Sequence, residues 1–212
     1  MSLSTSKAPI PLYTATTPNG WKVTIALEEL RIPYELKPLN INAFPPLSIN
    51  NHGDFPIFES GAILLWLGEH YDHKHKLWPT DPKLQSEVTQ WIMFQMGGIG
   101  PMQGQAGHFQ HTTPEVNKYG ITCYTNETHC LYGVLKSCLA NKDYLVNNQY
   151  SLADIINFSW VVVHRFAEID ISDLPNVQVW RKCILIHPAI PKAMCNPTSP
   201  MVKDILKKAN VA

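Results

Sequence analysis

Apolar positions in the first part of the chain come in short extended runs that twice give way to helical spacing. Ile10 to Thr14 reads as a short strand, and Thr17-Pro18-Asn19-Gly20 as a turn. From Trp21 to Leu30 the apolar positions Val23, Ile25, Ala26, Leu27 and Leu30 suit a helix, ended by Arg31-Ile32-Pro33. Tyr34 to Leu39 is the next extended run. Phe44 to Ile49 and Phe55 to Phe58 read as two strands around a polar turn, and Glu59-Ser60-Gly61 opens a helix rich in Ile and Leu. The first half is thus predicted as β-α-β followed by β-β-α.

After a Pro-containing stretch, Leu77-Trp78-Pro79-Thr80-Asp81-Pro82, the periodicity becomes helical throughout. The predicted helices cover 83–96, 114–140, 151–166, 175–186 and 188–194. Gly97-Gly98-Ile99-Gly100-Pro101 is expected to break the first of them. Ser151-Leu152-Ala153-Asp154 has capping-box spacing, with Asp in the place of Glu, before an apolar run. The segment from Met194 onward has no clear pattern. The fold class is therefore α/β plus all-α: a small α/β domain over 1–76 and an all-helical domain over 83–212.

Composition narrows the function classes. Hydrophobic residues make up 45% of the 212 positions, enough for a large core and too many for a disordered chain. Lys+Arg and Asp+Glu balance at 17 each, so no basic field invites nucleic acid. The longest apolar run, Ile155 to Val163, is too short to span a bilayer, and Met1 to Thr5 lacks the core of a signal peptide, so a cytoplasmic protein is expected. The five Cys form no Cys-x-x-Cys pair and read as reduced thiols. Cys123 and Cys130 fall seven apart on one predicted helix face, so a redox pair is the alternative reading there. His70, His73 and His75 alternate with lysines and lack the spacing of a structural metal site, so no metal is expected.

Two strand-to-helix junctions could carry chemistry. Free backbone N–H groups and the positive dipole end at Thr17–Gly20 would suit an anion, a thiolate included. Plain turn and capping chemistry accounts for the same residues. At Glu59-Ser60-Gly61 the Ser and nearby N–H groups could hold a carboxylate and Glu59 an ammonium, together gripping an amino-acid end. An ordinary N-cap with a first-turn acid is the alternative.

The blocks Thr17-Pro18-Asn19-Gly20-Trp21-Lys22-Val23, Phe58 to Leu65 and Trp91 to Ala106 resemble, in order, the glutathione transferase superfamily, and within it the nu-class and fungal nitrogen-regulator-like type. Tyr124-Thr125-Asn126-Glu127, Leu131 to Leu135 and Tyr150 to Ile155 extend the resemblance over nearly the whole chain. It implies a thioredoxin-like N-terminal domain, a helical C-terminal domain, a homodimer, and glutathione as cofactor. Asn19 and Thr17 would hold the glutathione sulfur as a thiolate, the reactive form. Glu59 and Ser60 would hold the γ-glutamyl end. Phe44, before a cis-proline at Pro45, would offer its backbone to the cysteinyl part, although the sequence alone does not choose between Pro45 and Pro46. A second-substrate pocket between the domains would draw on Trp21, Met102, Gln103, His108 and Phe109, each of which has a packing role as its alternative.

Three departures set the chain apart from that type. Leu39 to Ala43 runs almost directly into Phe44-Pro45, so a helix of the thioredoxin-like domain is expected to be missing. Cys123 and Cys130 stand where Arg is usual, and Gly107 where Asn or His is usual. The expected activity is attack of the glutathione thiolate on a hydrophobic, electrophilic small molecule, a specialised fungal metabolite, by conjugation or double-bond isomerisation. Glutathione-disulfide exchange and a non-catalytic regulatory or binding role are the alternatives.

Overall fold

A computed structural model describes residues 9–40, 47–50, 55–196 and 199–209. Strand β1 (Ile10–Thr14) alternates as a half-buried strand should, with Ile10, Leu12 and Thr14 inward and Tyr13 outward. It pairs in parallel with β2 (Tyr34–Pro38) and antiparallel with β3 (Ser48–Asn50), which in turn pairs antiparallel with β4 (Pro56–Phe58). The order β2-β1-β3-β4, with helix α1 (Pro18–Glu29) crossing over from β1 to β2, is the thioredoxin-like arrangement. Between β2 and β3 only nine residues intervene, 39–47, of which 41–46 lie outside the described residues.

Helix α1 is buried over eight successive residues, Gly20 to Leu27. A helix apolar on one face only would leave half of these exposed. This one lies between the sheet and the helical domain, touching α2 (Ser60–Tyr71), α6 (Leu152–Val161) and α8 (Ala189–Met194). Its start is pressed against the end of β1. A Cβ on Gly20 would lie 2.4 Å from Ala15 O and 2.5 Å from Thr14 Oγ1, so only glycine fits.

The helical domain also contains α3 (Pro82–Phe94), α4 (Gly100–His111), α5 (Lys118–Cys138), α7 (Pro175–Leu185) and α9 (Pro200–Lys208). Glycines 97, 98 and 100 do not break the chain of turns. A π-turn over Gln95–Ile99 absorbs Gly97 and Gly98 and leads into α4, which Gly100 opens, where a break was expected. Helix α9, unforeseen in the sequence, starts at a Ser199 cap whose hydroxyl accepts from Val202 N–H at 3.3 Å.

The Pro-containing stretch between the two domains is packed. Leu77 and Trp78 are buried, and the Asp72 carboxylate accepts the backbone N–H groups of Lys76 (3.0 Å), Leu77 (2.6 Å) and Trp78 (2.9 Å). A Cβ on Gly68 would meet both Trp78 and Leu152 at 2.9 Å, so α2, the boundary segment and α6 share one contact.

Helix α6 is the centre of the helical domain, with nine of its ten residues buried. Ser151 and Asp154 form the foreseen capping box. Asp154 also accepts from Leu145 N–H (3.0 Å) and from the Trp180 indole (2.9 Å). Burial pushes its carboxyl up to about 6, against hydrogen bonds that hold it down. Asp154→Ala strands these donors in the core and is expected to cost about 3 kcal/mol or more. A thermal melt checks this, with a fall of roughly 6–12 °C expected for a chain of this size.

Candidate functional site

The register of the sheet brings two helix starts together. Tyr13 pairs with Ser48, and Ser48 with Phe58, so β1 and β4 end at one level, two strand spacings or roughly 10 Å apart. Helices α1 and α2 both begin just beyond those ends, and their amino termini face the same edge.

At α1, Thr17 is the N-cap and its hydroxyl oxygen accepts from Gly20 N–H at 3.2 Å. That use leaves the hydroxyl proton able to donate. Pro18 sits at the first helical position, where a missing N–H costs nothing. Asn19 is exposed, with its Oδ1 accepting from the Trp160 indole N–H at 3.0 Å. Sequence reasoning did not find Trp160.

At α2, Glu59 holds the cap position with φ 72 and ψ 117, a conformation that a Cβ disfavours. Its side chain makes no capping bond. The first helical hydrogen bond runs from Ile63 N–H to Glu59 O, so the amides of Ser60, Gly61 and Ala62 precede the helical ladder. Gly61 is in tight contact with the helical domain, since a Cβ there would lie 3.1 Å from Met96 and 3.2 Å from Ile92.

Lys22 joins the two termini. It lies one turn along α1 from Asn19 and is almost wholly buried. Its ammonium donates to Ser60 Oγ at 3.2 Å and to Gln95 Oε1, and lies 3.4 Å from Met96 Sδ. Burial lowers its pKa to about 7, while the Glu59 charge pulls it back up. A lone lysine within the apolar run Trp21 to Leu27 was the available signal.

The other expected site residues are dispersed. Trp21 is buried in the core, and its indole N–H has no partner among the described residues. Gln103 is also buried. It donates to Trp160 O at 2.9 Å and accepts from Tyr132 OH at 2.7 Å. Phe109 stacks on Tyr124 with centroids 5.4 Å apart and fills the space over Gly120, at the contact of α4 with α5. His108 is exposed and meets Phe109 edge-on, and Met102 is half-buried. Phe44 and Pro45 lie outside the described residues. Cys123 and Cys130 are both exposed on α5 as free thiols.

Residues 125–188 match the glutathione S-transferase C-terminal domain family. The chain is 35% identical over 206 residues to the disulfide-bond oxidoreductase YfcG of Escherichia coli, covering 87% of this chain and 94% of that protein. A glutathione transferase homolog from Lodderomyces elongisporus, solved with two glutathione molecules per subunit, superposes with a TM-score of 0.86. It is 31% identical, over 91% of this chain and all of the other. Ure2p in complex with S-hexylglutathione superposes at 0.83 with 30% identity, over 88% of this chain and 98% of that one. The chain belongs to the glutathione S-transferase superfamily and is of the Ure2p-like type. Its function is glutathione-dependent, as in that family.

Two stability measurements test this geometry. An unfolded Lys22 holds its proton up to about 10.5, whereas the folded one releases it near 7, so the unfolded chain binds more protons between those values. Its contribution to stability therefore rises with pH across that window and is flat and least favourable below it. Lys22→Met is expected to remove this rise, read as the pH dependence of urea-unfolding free energy relative to the parent protein. At Glu59, glycine should be the more stable replacement, by about 1 kcal/mol over alanine, reversing the usual order because φ is positive. Chemical denaturation of Glu59→Gly beside Glu59→Ala reads the difference.

Proposed function

We propose that this protein binds glutathione across the two helix termini and holds its sulfur as a thiolate for attack on a soft electrophile. The observation that carries this reading is the exposed Asn19 carboxamide at the α1 amino end. Beside it stands a capping Thr17 whose hydroxyl proton is free to donate. Both groups can donate to a sulfur anion, and the helix dipole adds to them. The five cysteines lie on α5, α7 and the end of α8, away from this turn, so the reactive sulfur has to come with the ligand. The γ-glutamyl carboxylate would take the α2 amides and the Ser60 hydroxyl, with the Lys22 ammonium behind it, and Glu59 would accept from the amino group. Phe44, ahead of Pro45, would meet the cysteinyl part.

The reaction we favour is thiol–disulfide exchange. The thiolate attacks one sulfur of a disulfide, a new S–S bond forms, the old one breaks, and the leaving thiolate takes a proton from water. The name of the Escherichia coli relative and the two glutathione molecules in the Lodderomyces structure support it. The second reading is addition to an electrophilic carbon of a hydrophobic metabolite, as conjugation or glutathione-assisted isomerisation. It rests on the relatives named glutathione S-transferase, with half-buried Met102 and exposed His108 facing the second substrate. A reducing, cytoplasmic setting fits the free thiols. A homodimer would cover exposed apolar residues such as Phe58 and Met93.

Asn19→Ala is expected to lower kcat/KM about 10²-fold for glutathione-dependent reduction of a small disulfide. A near-parental rate removes Asn19 from the chemistry. Titration calorimetry with glutathione is expected to give saturable binding. Absence of heat at millimolar ligand would favour the non-catalytic, regulatory alternative.

A further inference from the structure

We propose that Trp160 is a positioning residue that sets the orientation of the Asn19 carboxamide, so that its NH2 group and not its oxygen faces the glutathione sulfur. The inference rests on the thiolate reading given above. An indole N–H can only donate, so its partner on Asn19 has to be Oδ1. With the oxygen engaged by the helical domain, the NH2 end is turned away from Trp160 and left to donate. A thiolate accepts only, so the reverse orientation would set an oxygen lone pair against the anion. An exposed, unanchored carboxamide has little to choose between its two flips. The hydrogen bond from Trp160 supplies that choice before the ligand arrives.

The half-buried indole also packs against α4, over Gly104 and beside Gly100, which itself is pressed against Gln95. A Cβ on Gly104 would come within 3.3 Å of Trp160 Cη2, and one on Gly100 within 3.6 Å of Cε2. The Trp160 carbonyl accepts from Gln103 Nε2, and Gln103 Oε1 accepts from the buried Tyr132 hydroxyl. Burial raises the Tyr132 pKa and keeps the phenol a donor. This relay accounts for Gln103 and Gly104, both within the motif block Trp91 to Ala106. It makes thiolate activation in one domain depend on a side chain of the other, 141 positions away in sequence.

Trp160→Phe keeps a smaller aromatic ring at this position and removes the indole N–H together with part of the packing over α4. The test is the pKa of the bound glutathione thiol, read from the ultraviolet absorbance of its thiolate in Trp160→Phe, Asn19→Ala and the double variant. The affinity for S-methylglutathione, which has no thiol, is measured alongside. Trp160→Phe is expected to raise the thiol pKa by about one unit, a roughly tenfold loss of thiolate stabilisation. S-methylglutathione affinity should stay unchanged, and the substitution should have no further effect in the Asn19→Ala background. An unchanged pKa in Trp160→Phe, with a raised one in Asn19→Ala, overturns the positioning role and leaves the thiolate reading intact. An unchanged pKa in Asn19→Ala overturns both. Should Trp160→Phe fold poorly, the indole N–H resonance of Trp160 is followed in Asn19→Ala instead. Faster solvent exchange and an upfield shift support the contact, and an unmoved resonance refutes it.

Discussion

A single buried ammonium ties together the parts on which the site depends. Lys22 leaves α1, reaches the hydroxyl that opens α2, and ends on the π-turn between α3 and α4. Burying a cation is costly unless its protons are used and its charge is answered. Here Ser60 and Gln95 accept from it, and the Glu59 charge favours the protonated form against the cost of burial. The backbone strain at Glu59 belongs to the same design, because it directs that side chain away from capping its own helix.

The sheet register does the coarser work. Placing β1 and β4 with their ends level, separated by β3, is what makes two ordinary helix starts into one binding edge. Gly20 and Gly61 then let those helices approach neighbouring backbone and side chains more closely than any larger residue would permit. Neither feature is chemical in itself, yet the distance between the two helix termini follows from them.

Much of this was legible in the sequence. The strand-turn-helix at Thr17, the Glu59-Ser60 junction, the Ser151–Asp154 capping box and five of the helices follow from spacing and cap chemistry, which act over a few residues. What could not be read depends on contacts between distant segments. Gly97 to Gly100 carry a strong breaker signal, but a π-turn keeps the backbone helical there. The nearby glycines 100 and 104 leave room for an indole that arrives from α6. Gln103 was expected at a ligand and lies in the core, because Tyr132 and the Trp160 carbonyl occupy its amide. Trp160 was passed over for the same reason: it looks like an ordinary member of an apolar run until its partner Asn19 is known, whereas Lys22 stood out as a lone cation in such a run.

The packed boundary at Leu77 and Trp78 bears on how such chains can be recombined. Asp72, the three amides it holds, Gly68 and Leu152 form one cluster that belongs to neither half alone. A chimera that joins the thioredoxin-like part of one relative to the helical part of another would divide this cluster between two parents. A workable crossover must carry Gly68 to Trp78 as a block, together with a residue the size of Leu at position 152. The two halves are interchangeable only as a matched pair.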